Sequence, residues 1–246
     1  MTRFDSLNTS PQLAKSCVQM AILPIGATEQ HGPHLPLCTD THIATAVATG
    51  VADRLGAFLL PAIPYGNSEV HAGYHGVISI QPETLQALVL DIGRQLQMQG
   101  FRQIVLINGH GGNFILRVAI RKLNYSAAPG FKVLLLEPHV QFAAQLSKLM
   151  PTYHQEVHAG EYETSLMLHL LPEHVGPERV DCVTPFGPEM YNYALTREIA
   201  PAGVWGVSSK GTAKKGEQVL ALLVDEAVQY IESTFATCAR MQGETP

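Results

Sequence analysis

Glu29, His31 and Asp40 fall within twelve positions of one another, in the segment L-P-I-G-A-T-E-Q-H-G-P-H-L-P-L-C-T-D-T-H that runs from Leu23 to His42. Two carboxylates and an imidazole are ligand types that Zn, Mn and Fe(II) take up. The apolar run Val18–Ile25 just ahead of them reads as a buried strand. If the chain stays extended beyond it, residues two apart point to the same side. Glu29 and His31 are then expected to share a pocket, with Gln30 turned away. Asp40 follows a Gly- and Pro-rich turn where a helix over about 41–55 is expected to start. Taken alone, Asp40 reads equally well as the N-cap of that helix, and His34 and His42 as packing or surface residues. Three ligating groups together in a stiff loop after a buried strand favour a metal site.

A second candidate is Asn108-Gly109-His110-Gly111-Gly112-Asn113. Glycines at a strand-to-helix turn raise the possibility of a phosphate loop, but G-x-G-x-x-G would need Gly at 114, where Phe stands, and no G-K-[ST] is present. The alternative is that the glycines turn the backbone sharply, so that His110 projects from the strand end as a ligand. The third cluster is His158, Glu161 and Glu163. On a helix beginning near Ala159 the two glutamates are two apart and cannot both face one pocket squarely. One is expected to act as ligand or base while the other sits at the helix N-terminus, where negative charge is favourable. His158, just before that helix, suits proton transfer, because an imidazole titrates near working pH.

The elements that must position these residues follow from periodicity. Short apolar runs at 18–25, 57–63, 102–107 and 132–136 read as strands, with a further short strand at 77–80. Helices are expected over about 41–55, 83–99, 114–126, 139–149, from Ala159 to about 171, and 214–235; the second of these carries Leu85, Leu88, Val89, Ile92 and Leu96 at spacings of three and four. Residues 1–16 read as a polar lead-in with one short helix, and 172–212 as irregular. Alternation of strands and helices predicts βαβ units, a mostly parallel central sheet and a three-layer α/β/α sandwich. In such a sheet ligands bind beyond the C-terminal strand ends, where both His-bearing loops fall. With no internal repeat or linker, residues 1–246 are expected to form a single domain.

Composition narrows the function further. Of the 246 residues, 46% are hydrophobic and only 15% charged, which suits a large core, and the net charge of −5 argues against nucleic acid as a partner. No stretch approaches the roughly 18–20 apolar residues of a membrane span, and the N-terminal M-T-R-F-D-S-L-N-T-S-P has no apolar signal core, so a cytoplasmic protein is expected. The four cysteines are scattered without a C-x-x-C pair.

On these segments the sequence resembles the creatininase (creatinine amidohydrolase) family. The shared motifs are L-P-I-G-A-T-E-Q-H-G-P-H-L-P-L-x-T-D, N-G-H-G-G-N, H-A-G-E-x-E-T-S and G-V-W-G-V-S-S-K-G-T-A-K-K-G-E, which together reach from about residue 20 to 220. The resemblance implies two divalent metal ions (Zn, Mn or Fe) per chain. Glu29, Asp40 and His110 would hold one ion; His31, a bridging Asp40 and a further carboxylate would hold the other. It also implies proton shuttling by His158 and a ring-like homohexamer. Family creatininases carry a Glu two residues after the His110 equivalent; here that position is Gly112. Glu161 is the expected replacement ligand, with Glu163 as a catalytic carboxylate and the fallback ligand. The resemblance also implies tryptophans around the substrate, whereas the single Trp here is Trp205, and Tyr153 and His154 occupy that neighbourhood. This points away from creatinine itself. The function expected is hydrolysis of a C–N bond in a small amide or cyclic amide by a hydroxide generated at the dinuclear centre, with Ser68, His71, Gly111 and Tyr153 walling the substrate. Alternatives are a formamide deformylase or a mycofactocin-type peptidase of the same family, or a metal-binding α/β protein without turnover.

Overall fold

The structure, a computed structural model, describes residues 3–126 and 128–241. In chain order it runs β1 (Phe4–Asp5), α1 (Ser10–Ser16), β2 (Met20–Ile25), α2 (Thr39–Leu55), β3 (Phe58–Leu59), α3 (Pro82–Met98), β4 (Gln103–Asn108), α4 (Leu116–Ser126) and β5 (Lys132–Leu136). It continues through α5 (Pro138–Gln141), α6 (Ala143–Leu149), α7 (Glu161–Leu170), β6 (Asp181–Cys182), α8 (Thr196–Ile199), β7 (Gly206–Val207) and α9 (Ala213–Met241).

Strands β1 to β5 form one sheet in the order β1-β3-β2-β4-β5, every neighbouring pair parallel. The apolar runs of β2 and β4 are continuous because both faces of the sheet are covered. Ala21, Leu23, Ile25, Ile104 and Leu106 pack into one core with Leu85, Val89 and Leu96 of α3 and Leu116 and Leu123 of α4. Ile22, Val105 and Ile107 point the other way, into a second core with α2, α7 and α9. The three-layer sandwich is thus the alternation of side chains along two central strands made visible. From β2 the chain crosses to β3 on one side, while β4 lies on the other. The crevice between the C-terminal ends of β2 and β4 is therefore a topological switch point.

Several expected elements differ. The run 57–63 pairs as a strand only over Phe58–Leu59, with Ile63 rejoining as an isolated bridge to Ile25. Residues 77–80 make only single bridges, Ile78 to Thr28 and Ser79 to Gly66. The helix expected over 139–149 is broken at Phe142, and the lead-in contributes the edge strand β1, parallel to β3. Among the described residues no helix is long and apolar enough to cross a membrane.

Helices α7 and α9 cross where Gly216 lies against α7: a Cβ at 216 would sit 1.9 Å from the Ser165 carbonyl oxygen. Replacing a helical Gly by Ala normally stabilises by about 1 kcal/mol. Here Gly216→Ala is expected to destabilise by roughly 1–3 kcal/mol, because two backbones must separate. A lower urea midpoint checks this; a raised one would contradict the close crossing.

Candidate metal centre

The loop after β2 does not continue as a strand. It folds back on itself through the isolated bridges of His31 to Pro33 and Leu35, then enters α2. Cys38 is the N-cap and makes no side-chain cap bond; Asp40 lies in the first turn, buried, with its carboxylate turned to two imidazoles. Asp40 Oδ1 is 3.0 Å from His31 Nε2, and Asp40 Oδ2 is 3.1 Å from His110 Nδ1. Capping therefore does not account for it.

The other ring nitrogen of each histidine is occupied. His31 Nδ1 lies 3.2 Å from the Glu29 carbonyl oxygen and His110 Nε2 lies 2.8 Å from that of Asn67. A carbonyl only accepts, so these nitrogens carry the protons and donate. The nitrogens facing Asp40 are then lone pairs aimed at carboxylate oxygens, an arrangement that holds only with a cation between them. In the metal-free chain that cation is a proton. Burial opposes charge on His31, but Asp40 and Glu163 raise it well above the ordinary imidazole range; His110 is raised against burial by Glu29 and Asp40. Burial likewise pushes Glu29 upward, yet His110 and His71 hold its carboxyl at about 2. Both oxygens of Glu29 and Oδ2 of Asp40 are buried without a hydrogen-bond partner. Orphaned carboxylate oxygens facing imidazole lone pairs fit divalent ions, with the backbone carbonyls as the outer-shell orienters such ligands need.

Two donor groups share Asp40: Glu29, Asp40 and His110, and His31, Asp40 and Glu163; Glu29, His31 and His158 form a third, overlapping set. The carboxylate beside His31 is thus Glu163, whose Oε1 is 3.7 Å from His31 Nε2. Glu161, the expected ligand, faces the other way. It is buried, bonded to the Lys215 ammonium and the Thr152 hydroxyl, and fastens α7 to α9. Helical spacing separates the two glutamates as expected, but it is Lys215, 54 positions away, that decides which one turns inward.

Gly112 is filled from outside. A Cβ there would lie 2.2 Å from the Asn67 carbonyl oxygen and 2.4 Å from His110 Nε2. Its missing side chain is what lets Asn67 orient His110, and the loop cradles an imidazole rather than a phosphate.

His158 precedes a left-handed Ala159 (φ 54°), a conformation costly for a non-glycine residue. It is held by a two-way backbone bridge to Trp205, with N to O distances of 2.9 and 2.8 Å. Glu156 accepts the N–H groups of Gly160 and Glu161 at the start of α7, at 2.9 and 2.7 Å. Burial, then Glu163, pushes its carboxyl up to about 8. His158 Nε2 lies 2.8 Å from the backbone oxygen of Gln30, so Nε2 holds the proton and Nδ1, 3.7 Å from Glu29 Oε1, is left free. Burial, with His31, lowers its pKa and keeps it neutral.

Gln30 does not point away as expected. Its side-chain oxygen accepts from Gly32 N at 2.9 Å, which turns the amide nitrogen to donate to His71 Nδ1 at 2.9 Å; the same nitrogen passes 3.1 Å from His158 Nε2, whose proton goes to the Gln30 backbone oxygen instead. An NH₂ group facing Nδ1 leaves His71 its proton on Nε2. The double return of the chain at His31 brings Gln30 inward, and periodicity gave no sign of it. His71, Gly111 and Tyr153 line the adjoining cavity, of about 690 Å³. Ser68 is fully buried and stops short of it, because the backbone turns away at the Glu69–His71 helical turn. His34 bonds Thr164 at 2.9 Å and lies outside the cluster.

Because His31 and His110 have folded pKa values above the ordinary 6.5, the metal-free chain carries their protons at neutral pH. Their contribution to its stability is complete below pH 6.5 and is lost as pH rises through the raised values. Loading Zn at pH 7 is therefore expected to release about two protons per chain, and affinity to climb with pH. Calorimetry in buffers of different ionisation enthalpy reads the count; no release would contradict the protonation scheme.

Comparison with known proteins agrees with this geometry. The profile of the Creatininase family, described as creatinine amidohydrolase, matches residues 7–231. The mycofactocin precursor peptide peptidase of Mycolicibacterium smegmatis is 34% identical over 237 residues, covering 92% of this chain and 89% of that protein. Creatinine amidohydrolase of Pseudomonas putida is 35% identical over 240 residues, covering 90% and 91%. The solved structure "Creatininase Mn" superposes with a TM-score of 0.81 at 29% identity, over 95% of this chain and 99% of that one.

Proposed function

Because this chain belongs to the creatininase family, we propose that it is a metal-dependent amidohydrolase that cleaves a C–N bond of a small or cyclic amide, with two divalent ions that the residues around Asp40 would hold. The observation that carries the reading is Asp40 itself, each oxygen facing a ring nitrogen of a different histidine whose other nitrogen is tied to a backbone carbonyl. Glu29, Asp40 and His110 would hold one ion, and His31, Asp40 and Glu163 the other. The relatives are named as an amidohydrolase and a peptidase, activities whose common step is hydrolysis of an amide bond. The cavity opening onto the cluster supports turnover over a structural metal role, since a structural site has a closed ligand shell.

Divalent ions in such a site polarise a carbonyl oxygen and acidify water. The chain's own groups supply the rest. The neutral His158 takes the proton of the attacking water at Nδ1, while its Nε2–H stays on the Gln30 carbonyl. It then delivers that proton to the departing nitrogen. His71, with its proton on Nε2, turns that N–H to Glu29 Oε1 at 3.3 Å and so orients the carboxylate. Glu163 spends one oxygen on the Ala159 N–H, at 2.5 Å, which leaves the other for the centre.

Glu163→Gln is expected to drop bound metal from about two ions per chain towards one and to cut activity on the order of 100-fold. Glu161→Gln should keep the metal but lower the melting temperature, since Lys215 loses its buried partner. Elemental analysis of both variants separates the roles; metal loss in Glu161→Gln alone would reverse the assignment.

A further inference from the structure

The cavity carries the candidate metal ligands Glu29, Asp40, His110 and Glu163, and its walls bring together the apolar Val70, Phe114, Val140, Val183, Phe186 and Tyr191 beside the polar His154, Gln155, Thr184 and Asn192. At its depth Tyr191 meets the buried Trp205 edge-on, ring centroids 5.3 Å apart, a preformed aromatic corner. At the mouth, Phe114 and Phe186 stand 58% and 52% exposed. Large apolar groups left in water at the entrance of a cavity are groups that a ligand covers. The volume of about 690 Å³ lies in the range of roughly 300–1,000 Å³ that holds drug-sized ligands, and a single five-membered ring would leave most of it empty.

Charge gives a second, independent constraint. Among the described residues that line the cavity there is no Lys or Arg. Glu156 adds an acid to the same wall. With no Lys or Arg in the lining, an anionic group on the outer part of a substrate would meet no fixed positive charge there, and desolvating such a group without one is costly.

We infer that the walls form a substrate slot for a bulky, uncharged apolar group, aromatic or branched aliphatic, carried by the amide, and that the slot rejects a phosphate at that end. This rests on the proposed amide chemistry for the identity of the scissile group, but binding in the slot is measured apart from catalysis. The occupant is the substrate, because the walls are continuous with the cluster in one cavity.

The single tryptophan of the chain, Trp205, lines the cavity, so its emission reports occupancy. Zinc-loaded protein is titrated with N-methylacetamide, N-acetylphenethylamine and the phosphate ester of N-acetyltyramine. The aromatic amide is expected to bind about tenfold or more tightly than N-methylacetamide, the scale of burying one apolar side chain, and the phosphate ester at least tenfold more weakly than the aromatic amide. Phe114→Ser and Phe186→Ser should each erode the aromatic preference several-fold with metal content unchanged. Equal affinities, no saturable binding of the aromatic amide, or tighter binding of the phosphate ester would overturn the slot. So would a change of subunit count in the Ser variants with ligand affinity untouched, which would mean that a second copy covers the rim. Turnover is scored separately: aromatic preference without hydrolysis keeps the slot and removes the amidohydrolase reading, whereas hydrolysis without preference does the reverse.

Discussion

The arrangement depends on one buried carboxylate. Asp40 lies between His31 and His110, each tied through its other nitrogen to a backbone carbonyl. With both tautomers fixed in this way, two lone pairs confront two carboxylate oxygens out of water, at a cost of several kcal/mol per unpaired ion. Something positive must sit there. Protons would do so in the metal-free chain; divalent ions would do so better, because they would also satisfy the orphaned oxygens of Glu29. The rest of the fold can be read as the means of bringing three backbone segments to that carboxylate: the loop after β2, the loop after β4, and the start of α7.

Each segment is held by contacts that have no catalytic part. The crevice between β2 and β4 exists because the sheet reverses its winding there. Gly112 leaves room for the Asn67 carbonyl to reach His110. Helix α7 is fixed at its start by Glu156, along its length by the close crossing at Gly216, and across to α9 by Glu161 and Lys215. The K-G-E end of the C-terminal motif thus acts at a distance: Lys215 draws Glu161 outward, leaving Glu163 beside His31. The W-G-V part of the same motif braces His158 through the Trp205 backbone.

Much of this was legible in the chain. The central strands are unbroken apolar runs, so β2, β4 and β5 could be placed to within a residue or two, and a parallel sheet puts the loops after β2 and β4 side by side. Glu29, His31, Asp40 and His110 follow from that. What could not be read depends on partners remote in sequence or on local departures from regular geometry. An extended chain would have sent Gln30 outward, but the return of the backbone at His31 turned it toward His71 and His158. Spacing on α7 excluded Glu161 and Glu163 from sharing a face without saying which one turned inward, since that is settled by Lys215. Ser68 looked like a wall residue because its neighbour His71 is one; the intervening helical turn takes its side chain into the interior.

The most direct test of the account is anomalous diffraction from crystals of manganese-loaded protein. Two peaks about 3.5–4 Å apart, one on either side of the Asp40 carboxylate and the second within reach of Glu163, are the predicted result. A single peak, or a pair in which Asp40 does not bridge, would contradict it.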